Sequence, residues 1–383
     1  MLKIMTPGPT QVRENVRMKR SIEVTNPDLD LNFYDYYRDT CKKIGSILHT
    51  SNEVFIMSGE AILGLEAACA SLTETGDRIL VIDNGIFGRG FSDFVKIYGG
   101  NPILFEGEYD VPVDTEKLSE FLKMDSNFKY ATVVHCDTPS GVLNNINEIC
   151  KLLNDFGILS VVDSVSGMFG EDIFVDESRI DILCGGSQKA LSAPVGLTLL
   201  CVSGLAFEAM EKRKLPIASF YANILNFKNY YENKWFPYTM PISDIYGFNE
   251  AVDNILKEKE FVVRHKRIAE ATRIAISKSG LELYLKAGFS NTVTVIKVPE
   301  GLKDTDILNS MKDKYNVMIA GCFDCLAGKV FRIGHMGENA NIDDMCMVFE
   351  AMQNTFLDLG QPLSCNLKAV FMEELQEVHL DII

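Results

Sequence analysis

The amino-acid sequence predicts an α/β fold, with a large domain around a mostly parallel sheet and a smaller C-terminal α+β domain. Short apolar stretches that suit strands alternate with helical patterns through the first half of the chain. The 383 residues, of which 47% are hydrophobic, can bury a core large enough for two domains. We expect an N-terminal segment over 1–20, the large domain over 21–260 and the small domain over 261–383.

The predicted elements follow one another in a regular order. A helix of high propensity over 63–72 precedes apolar strands at 78–82, 131–135 and 158–162 and a buried strand at 180–184. A helical pattern near 249–278, with apolar residues such as Val252, Ile255 and Val262 at helical spacing, leads out of the large domain. Strands near 292–298 and 330–333 and an amphipathic helix over 342–359 then build the small domain.

The formal net charge of −16 limits the partners that the chain can bind. Nucleic acids and anionic membrane surfaces both reward basic patches, so neither is expected as a partner. The ten cysteines are scattered, mostly in apolar stretches such as 67–69 and 200–202, which favours reduced thiols in a cytoplasmic setting over a disulfide framework. The N-terminus shows neither a secretory pattern nor an apolar run that could span a membrane.

One lysine and one aspartate carry most of the functional information. Lys189 closely follows the predicted strand at 180–184, and Asp163 closes the apolar run at 158–162. Either residue alone is more often a surface charge or a turn residue. Together they match the needs of pyridoxal 5′-phosphate, which requires an amine to hold its aldehyde and a carboxylate beside its pyridine nitrogen. The sequence therefore predicts a pyridoxal-phosphate site with Lys189 and Asp163 as its catalytic residues.

The helix start after residue 57 suits the capture of an anion. Met57-Ser58-Gly59-Glu60-Ala61-Ile62 leads directly into the predicted helix. The first amides of a helix are donors without partners inside the helix, and the helix dipole favours negative charge there. An ordinary helix start without a ligand is the simpler alternative, and the residues alone favour it.

Three further residues suit such a site. Phe87 follows a strand and a glycine turn, where a flat ring could stack on the pyridine ring, although most such residues belong to the core. Arg332 lies among apolar residues in a predicted strand, where an unpaired charge is costly, and its guanidinium can bind a substrate carboxylate through two parallel bonds. Gly8 would let the backbone of the N-terminal segment approach the same substrate closely.

Cysteine and histidine patterns give no metal site. Cys322 and Cys325 form a single Cys-x-x-Cys pair that lacks the second half of a zinc site. We interpret them as loop residues, with redox sensitivity left open. His135 stands alone near a strand end and is interpreted as structural.

Four segments resemble, in the same order, motifs of the class V aminotransferases of fold type I, specifically the alanine–glyoxylate and serine–pyruvate branch. They are Thr6-Pro7-Gly8-Pro9-Thr10, Asn84-Gly85-Ile86-Phe87-Gly88-Arg89, the block from Asp163 to Ser203, and Phe331-Arg332-Ile333-Gly334. The block that holds Asp163 and Lys189 is the most specific. The resemblance covers nearly the whole chain and implies the fold of the fold-type-I pyridoxal-phosphate-dependent transferases.

The resemblance implies where the cofactor's phosphate binds. The contacts fall near Glu60, Ala61 and Ile62, and Gln188 looks like the side-chain amide that the family adds at the same phosphate. Glu60 departs from the family pattern, because an acid beside a dianion repels it. Its side chain is expected to point away or to cap the helix while its backbone binds.

The resemblance implies further contacts around the ring and across a subunit interface. An aromatic residue stacks on the ring at Phe87, and a hydroxyl group bonds to it at Thr138. Tyr238 and Thr239 are implied to reach the phosphate of the neighbouring subunit. The expected functional unit is therefore a homodimer.

The resemblance also implies the reaction. It is the transfer of an amino group from a small amino acid of the alanine, serine or glycine class to a small 2-oxo acid, glyoxylate or pyruvate. Ureidoglycine–glyoxylate transfer is an alternative. A cysteine desulfurase-like lyase is less favoured, because it needs a mobile nucleophilic cysteine and a histidine where Phe87 stands. A pyridoxal-phosphate-binding regulator without turnover would not need Lys189, Asp163 and Arg332 together.

Overall fold

The computed structural model describes residues 2–377, which form one large sheet flanked by helices and a smaller unit of short strands and helices. The strands are β1 (Lys3–Ile4), β2 (Glu53–Ser58), β3 (Arg78–Asp83), β4 (Asn101–Glu106), β5 (Tyr130–Val134), β6 (Cys136–Asp137), β7 (Val142–Leu143), β8 (Leu159–Asp163), β9 (Ile182–Gly186), β10 (Leu197–Val202), β11 (Val293–Lys297), β12 (Val317–Met318) and β13 (Val330–Gly334).

The helices are α1 (Glu14–Lys19), α2 (Leu31–Ile47), α3 (Ile62–Leu72), α4 (Ile86–Ile97), α5 (Thr115–Met124), α6 (Ile146–Asp155), α7 (Val175–Ser178), α8 (Gly204–Glu211), α9 (Tyr230–Asn233), α10 (Ile242–Lys257), α11 (Phe261–Lys278), α12 (Asp304–Tyr315), α13 (Ile342–Asp358) and α14 (Leu367–Glu377). Three short 3-10 turns lie at Ile224–Phe227, Asp324–Leu326 and Gly337–Asn339.

The large sheet has seven strands in the order β2-β10-β9-β8-β5-β3-β4. β10 runs antiparallel to both of its neighbours, and the other six strands share one direction. The central strands β5 and β9 are buried along their whole length, as expected for parallel strands that are covered on both faces. The predicted α/β fold with a large, mostly parallel sheet is therefore confirmed.

Close packing fixes α3 against this sheet. Its residues Gly64, Ala67 and Ala68 are small and buried. A Cβ added at Gly64 would come within 2.5 Å of the Thr198 side chain on β10. A larger residue there would push the helix off the sheet, and with it the helix start that borders the candidate site.

The helical pattern near 249–278 does not form the single helix that the sequence predicts. It forms α10 and α11, which are separated at Glu258–Glu260. Glu258 has an extended backbone, with φ −98° and ψ 97°, and its carboxylate pairs with Arg264 at 2.5 Å. The residues between α10 and α11 are all charged, so none of them has an apolar side chain that could pack a continuous helix against the core. The Glu258–Arg264 ion pair stabilises the break.

The smaller unit contains β11, β13 and helices α11 to α14. β11 and β13 pair antiparallel, and Val295 faces Arg332 in register. The N-terminal segment joins this unit through β1, which pairs in parallel with β12. The segment then runs to the loop after β9, where the amide of Thr10 donates to the carbonyl of Gln188 at 3.0 Å. The domain boundaries at 20 and 260 stay predictions, and residues 378–383 of the predicted small domain lie outside the described residues.

The ten cysteines are all unpaired, and six of them are buried. Among residues 2–377, no helix is long and apolar enough to cross a membrane.

Candidate active site

The candidate active site is a cavity of about 210 Å³ at the carboxyl ends of the parallel strands. Glu60 follows β2, Phe87 follows β3, Thr138 follows β5, Asp163 ends β8 and Lys189 follows β9; all five line the cavity. Side chains from several strand ends converge at this edge of a parallel sheet, which is where α/β proteins bind ligands. A larger cavity of about 710 Å³ lies beside α11 and α13 and contains none of the predicted site residues.

Lys189 lies in the connection between β9 and β10. Its Nζ donates to the carbonyl of Pro7 at 2.6 Å. Burial lowers the pKa of Lys189 to about 8, although the carboxylates of Asp163 and Glu60 oppose this shift. Gly8 has a positive φ of +103°, and a Cβ there would come within 2.5 Å of the Lys189 side chain. The amine can therefore lose its proton near neutral pH, and Gly8 leaves the space that it occupies.

Asp163 is held at the end of β8, in register with Val134 on one side and Cys184 on the other. Its Oδ1 accepts a bond from the amide of Val165 at 2.9 Å. The residue is 5% exposed, and burial raises the pKa of Asp163 to about 6, against the opposing effects of the Val165 amide and Lys189. Asp163 thus presents its carboxyl group to the cavity, and this group changes charge within two pH units of neutrality.

His135 lies behind Asp163. Its amide donates to the carbonyl of Asp163 at 2.7 Å, and its Nδ1 lies 2.9 Å from the hydroxyl oxygen of Ser164. Burial lowers the pKa of His135 to about 4. The ring is therefore neutral at physiological pH and supports the backbone that carries Asp163.

Phe87 lies in the first turn of α4, where its amide donates to Oδ1 of Asp137 at 3.0 Å. Asp137 is fully buried, and a Cβ at Gly85 would come within 2.5 Å of its carboxyl carbon. The Phe87 ring is 37% exposed, and its centroid lies 5.9 Å from that of Phe323. The ring therefore has a free area at the cavity, and its backbone is fixed by a buried acid.

Thr138 presents its hydroxyl group to the cavity next to that of Ser166, and the two groups are hydrogen-bonded. Sequence reasoning predicted Thr138 but missed Ser166, Asp137 and Phe323. Ser166 stands three residues after Asp163 in the most specific motif, and this spacing could have marked it. No short-range pattern connects Phe323 to Phe87.

Arg332 is 8% exposed on β13 and lies at one side of the cavity rather than in its lining. Its Nε donates to the carbonyl of Gly321 at 2.8 Å, and one terminal nitrogen donates to the carbonyl of Thr138 at 3.2 Å. Within residues 2–377, no carboxylate forms an ion pair with it. Burial lowers the pKa of Arg332, since the charge is poorly solvated. The guanidinium therefore keeps donors for an incoming carboxylate.

Glu60 occupies the start of α3 with its side chain. Its Oε2 accepts from the amide of Ile62 at 2.9 Å, and its Oε1 accepts from the side-chain amide of Gln188. Gln188 is 4% exposed, and its own oxygen receives no bond from the described residues. The amides of Glu60 and Ala61 donate to no acceptor within the described chain. The Glu60 side chain thus caps the helix and lines the cavity at the same time.

Tyr238 and Thr239 lie outside the lining of this chain's own cavity. The hydroxyl oxygen of Tyr238 accepts from the amide of Ser58 at 3.3 Å, and its ring stacks on Tyr221 with 4.1 Å between centroids. Thr239 is exposed and donates to Asp28 at 3.0 Å. Their reach into a neighbouring subunit stays a prediction.

Cys322 is half-buried, and its thiol donates to the carbonyl of Pro139 at 3.7 Å, whereas Cys325 is exposed. Burial raises the pKa of the Cys322 thiol, which keeps it protonated. In the described part of the chain, no group of three or more His, Cys, Asp or Glu side chains could hold a metal ion.

The groups in the cavity fit the ring of pyridoxal 5′-phosphate. An amine for the aldehyde, a carboxyl group for the pyridine nitrogen, a flat aromatic face and two hydroxyl groups are all present in one cavity. At the other end, near α3, the amides of Glu60 and Ala61 are available to a phosphate, but the Ile62 and Gln188 donors are taken by Glu60.

Comparison with known proteins gives one family. The model of the aminotransferase class-V family matches residues 15–336. An uncharacterized aminotransferase of Methanocaldococcus jannaschii is 37% identical, with 87% of each chain covered. Pyridoxamine–pyruvate transaminase of Mesorhizobium japonicum is 32% identical over 82% of this chain and 81% of its own. Serine–glyoxylate aminotransferase of Methylorubrum extorquens is 32% identical over 88% and 86%.

Solved structures agree with this result. Pyridoxamine–pyruvate aminotransferase of Mesorhizobium loti superimposes with a TM-score of 0.93 at 29% identity and covers 100% of this chain and 98% of its own. Ureidoglycine–glyoxylate aminotransferase of Bacillus subtilis gives a TM-score of 0.92 at 25% identity, with 98% of each chain covered.

Proposed function

Because the chain belongs to the class-V aminotransferases, which depend on pyridoxal 5′-phosphate, we propose that it moves the amino group of a small amino acid to a small 2-oxo acid. The donor is of the alanine, serine or glycine class, and the acceptor is glyoxylate or pyruvate. The observation that carries this proposal is the cavity in which Lys189 and Asp163 lie together, with Arg332 at its side and unpaired to any described acid. Relatives named for glyoxylate and pyruvate reactions support the choice of acceptors.

Lys189 is proposed as the residue that moves the proton. When bound, pyridoxal 5′-phosphate supplies an electron sink for the carbanion that remains when the amino acid loses its Cα proton. Nζ of Lys189 takes that proton and returns it later in the transfer. A pKa near 8 suits this role, since an amine that titrates close to the working pH can both accept and release a proton.

Asp163 is proposed to hold a proton at the pyridine nitrogen. Its buried carboxylate needs a positive partner, and a protonated ring nitrogen provides one. Phe87 limits the tilt of the ring from one face, and the Thr138 and Ser166 hydroxyl groups supply hydrogen bonds at its edge. Glu60, Ala61, Ile62 and Gln188 are proposed to surround the end of the bound compound that carries its 5′ substituent.

Arg332 is proposed to bind the substrate carboxylate. Two of its donors are held by the carbonyls of Gly321 and Thr138, which orient the guanidinium plane. The remaining donors can form the paired bonds that a carboxylate accepts. Because both substrates carry a carboxylate, one arginine serves both halves of the exchange. Gly8 lies against the Lys189 side chain, so the backbone of the N-terminal segment can approach the substrate closely.

We also propose a homodimer in which Tyr238 and Thr239 reach the neighbouring subunit's site, and a cytoplasmic location. The exposed position of Thr239 supports the first proposal. Ten unpaired cysteines, six of them buried, suit a reducing compartment.

The alternatives differ in their support. Ureidoglycine–glyoxylate transfer fits the same catalytic residues. The position of Glu60 favours a second candidate, transfer between pyridoxamine and pyruvate, which is the reaction named for two of the similar proteins. A desulfurase-like lyase is disfavoured because the Cys322 thiol is half-buried and bonded to a backbone carbonyl. A regulator without turnover would not need Lys189 and Asp163 in one cavity with Arg332 at its side.

The proposal is tested by supplying the purified chain and pyridoxal 5′-phosphate with alanine and glyoxylate. Equal amounts of pyruvate and glycine are expected, and far less of both with a Lys189→Ala variant. Serine or glycine as donor and pyruvate as acceptor, tested in the same way, define the substrate range. Absence of amino transfer with every one of these pairs, with pyridoxal 5′-phosphate and also with pyridoxal in its place, would contradict the proposed function.

A further inference from the structure

The Glu60 carboxylate occupies two of the hydrogen-bond donors at the start of α3, where a phosphate would bind. A helix start binds an anion through its first free amides. Here a carboxylate from the chain itself accepts the Ile62 amide at 2.9 Å and also takes the side-chain amide of buried Gln188. An internal anion therefore already uses two of the donors that a phosphate would need.

The charges in the cavity also disfavour a phosphate. Among the described residues that line the cavity, Lys189 is the one cation, and Glu60 and Asp163 are the two acids. Lys189 is required at the aldehyde and cannot serve the far end of the ring. A phosphate dianion would consequently lie next to the Glu60 carboxylate without a neutralising side chain from this chain.

The hydrogen-bonding groups at this end match a hydroxyl group better. A carboxylate accepts bonds and donates none, and so does a phosphate dianion. The Glu60 oxygens and the partnerless, buried oxygen of Gln188 are all acceptors. A hydroxyl group can donate to such an acceptor and accept from the free amide of Ala61 at the same time.

From these three observations we infer that Glu60 makes this site prefer the unphosphorylated form of the pyridoxal ring, which ends in a 5′-hydroxyl group. The inference rests on the proposed aminotransferase function and names a substrate class for it. A ring compound that has no phosphate is held by fewer contacts and can leave after each transfer. Pyridoxamine would therefore act as an amino donor. Its amino group and one hydrogen move to the carbonyl carbon of the 2-oxo acid, whose oxygen leaves as water, and a second water supplies the aldehyde oxygen of the ring compound. The exchange is balanced without an external oxidant.

Equilibrium binding of pyridoxamine and pyridoxamine 5′-phosphate tests this preference. Neither compound has an aldehyde that could react with Lys189, so calorimetric titration reports the non-covalent contacts alone. The wild-type chain is expected to bind pyridoxamine more tightly than its phosphate. Glu60→Gln removes the charge at nearly constant shape and is expected to change the ratio of the two dissociation constants by about tenfold or more in favour of the phosphate. Glu60→Ser, which keeps a helix-capping oxygen, should act in the same direction.

Glu53→Gln is the matched control, because Glu53 is an exposed acid at the opposite end of β2. It should leave the ratio unchanged. Tighter binding of the phosphate by the wild-type chain would overturn the inference, and so would a ratio that moves by less than about tenfold in both folded Glu60 variants. The proposed function is tested separately from the binding ratio, by measuring amino transfer from alanine to glyoxylate with pyridoxal and with its phosphate. Transfer with either compound supports that function whatever the binding ratio.

Discussion

The replacement Arg332→Lys tests the proposed carboxylate-binding residue while keeping its charge. Arg332 donates Nε to Gly321 and one terminal nitrogen to Thr138, and this orients the other donors. Lysine carries its donors on one atom and has no planar fork. It therefore cannot satisfy both carbonyls and also bind a carboxylate through two parallel bonds.

The expected decrease in kcat/KM follows from the loss of one charge-assisted hydrogen bond to the substrate carboxylate, which contributes about 1.5–3 kcal/mol. Since each 1.4 kcal/mol is a factor of about ten, kcat/KM should fall about ten- to a hundredfold. KM should rise for the amino acid and for the 2-oxo acid together, because one site binds both carboxylates in turn. The visible spectrum of the bound pyridoxal compound should stay unchanged, because Arg332 lies outside the cavity lining.

Steady-state kinetics with alanine and glyoxylate, each varied at a fixed level of the other, measure these changes. Arg273→Lys is the control, because Arg273 is also an arginine that donates to a backbone carbonyl, that of Ser290 at 3.0 Å, and it lies outside the cavity lining. Unchanged kcat/KM in Arg332→Lys, or an equal loss in the control, would refute the assignment of the substrate carboxylate to Arg332.

Four further predictions concern Lys189 and its neighbours. Lys189→Ala should lower alanine–glyoxylate transfer by about 10²–10⁴-fold, since the proton carrier is lost. Near-normal turnover would contradict the role of Lys189 in moving the proton. Asp163→Asn should leave the fold intact but slow single-turnover transfer by about a hundredfold or more, because a neutral amide cannot stabilise the ring proton. Since burial lowers the pKa of Lys189 to about 8, its amine is protonated below that pH, and uptake of pyridoxal, followed by visible absorbance, should slow as pH falls through about 8. Gly8→Ala should slow the same uptake at any pH, because its Cβ would come within 2.5 Å of Lys189; an unchanged rate would mean that the segment moves aside.

The strands at the site were predictable because each is a short apolar run followed by small or polar residues. The predicted strands at 78–82 and 158–162 lie within one residue of β3 and β8. The orientation of β10 could not be predicted, since an antiparallel strand in a buried sheet has the same continuous apolar pattern as its neighbours. The break between α10 and α11 also escaped prediction, because it depends on the Glu258–Arg264 ion pair rather than on a proline or glycine.

At the site, too, features with a local sequence pattern were predictable and features that depend on tertiary contacts were not. Lys189, Asp163 and Thr138 could be placed from local motifs, and the fold brings them into one cavity. The contact of Phe323 with Phe87 joins segments that are far apart in the chain, so no local pattern reveals it. The side-chain position of Glu60 is a third case. The sequence showed the conflict between an acid and a phosphate, and only the geometry shows that the carboxylate bonds to Gln188.

The most direct test of the central claim is a transfer from alanine with no 2-oxo acid present. The purified chain is given a known amount of pyridoxal 5′-phosphate or pyridoxal and an excess of alanine, and pyruvate is counted. An aminotransferase should form one pyruvate for each molecule of the ring aldehyde supplied and then stop until glyoxylate is added. Pyruvate that keeps forming without glyoxylate, or no pyruvate with either ring compound, would contradict amino transfer at the site of Lys189 and Asp163.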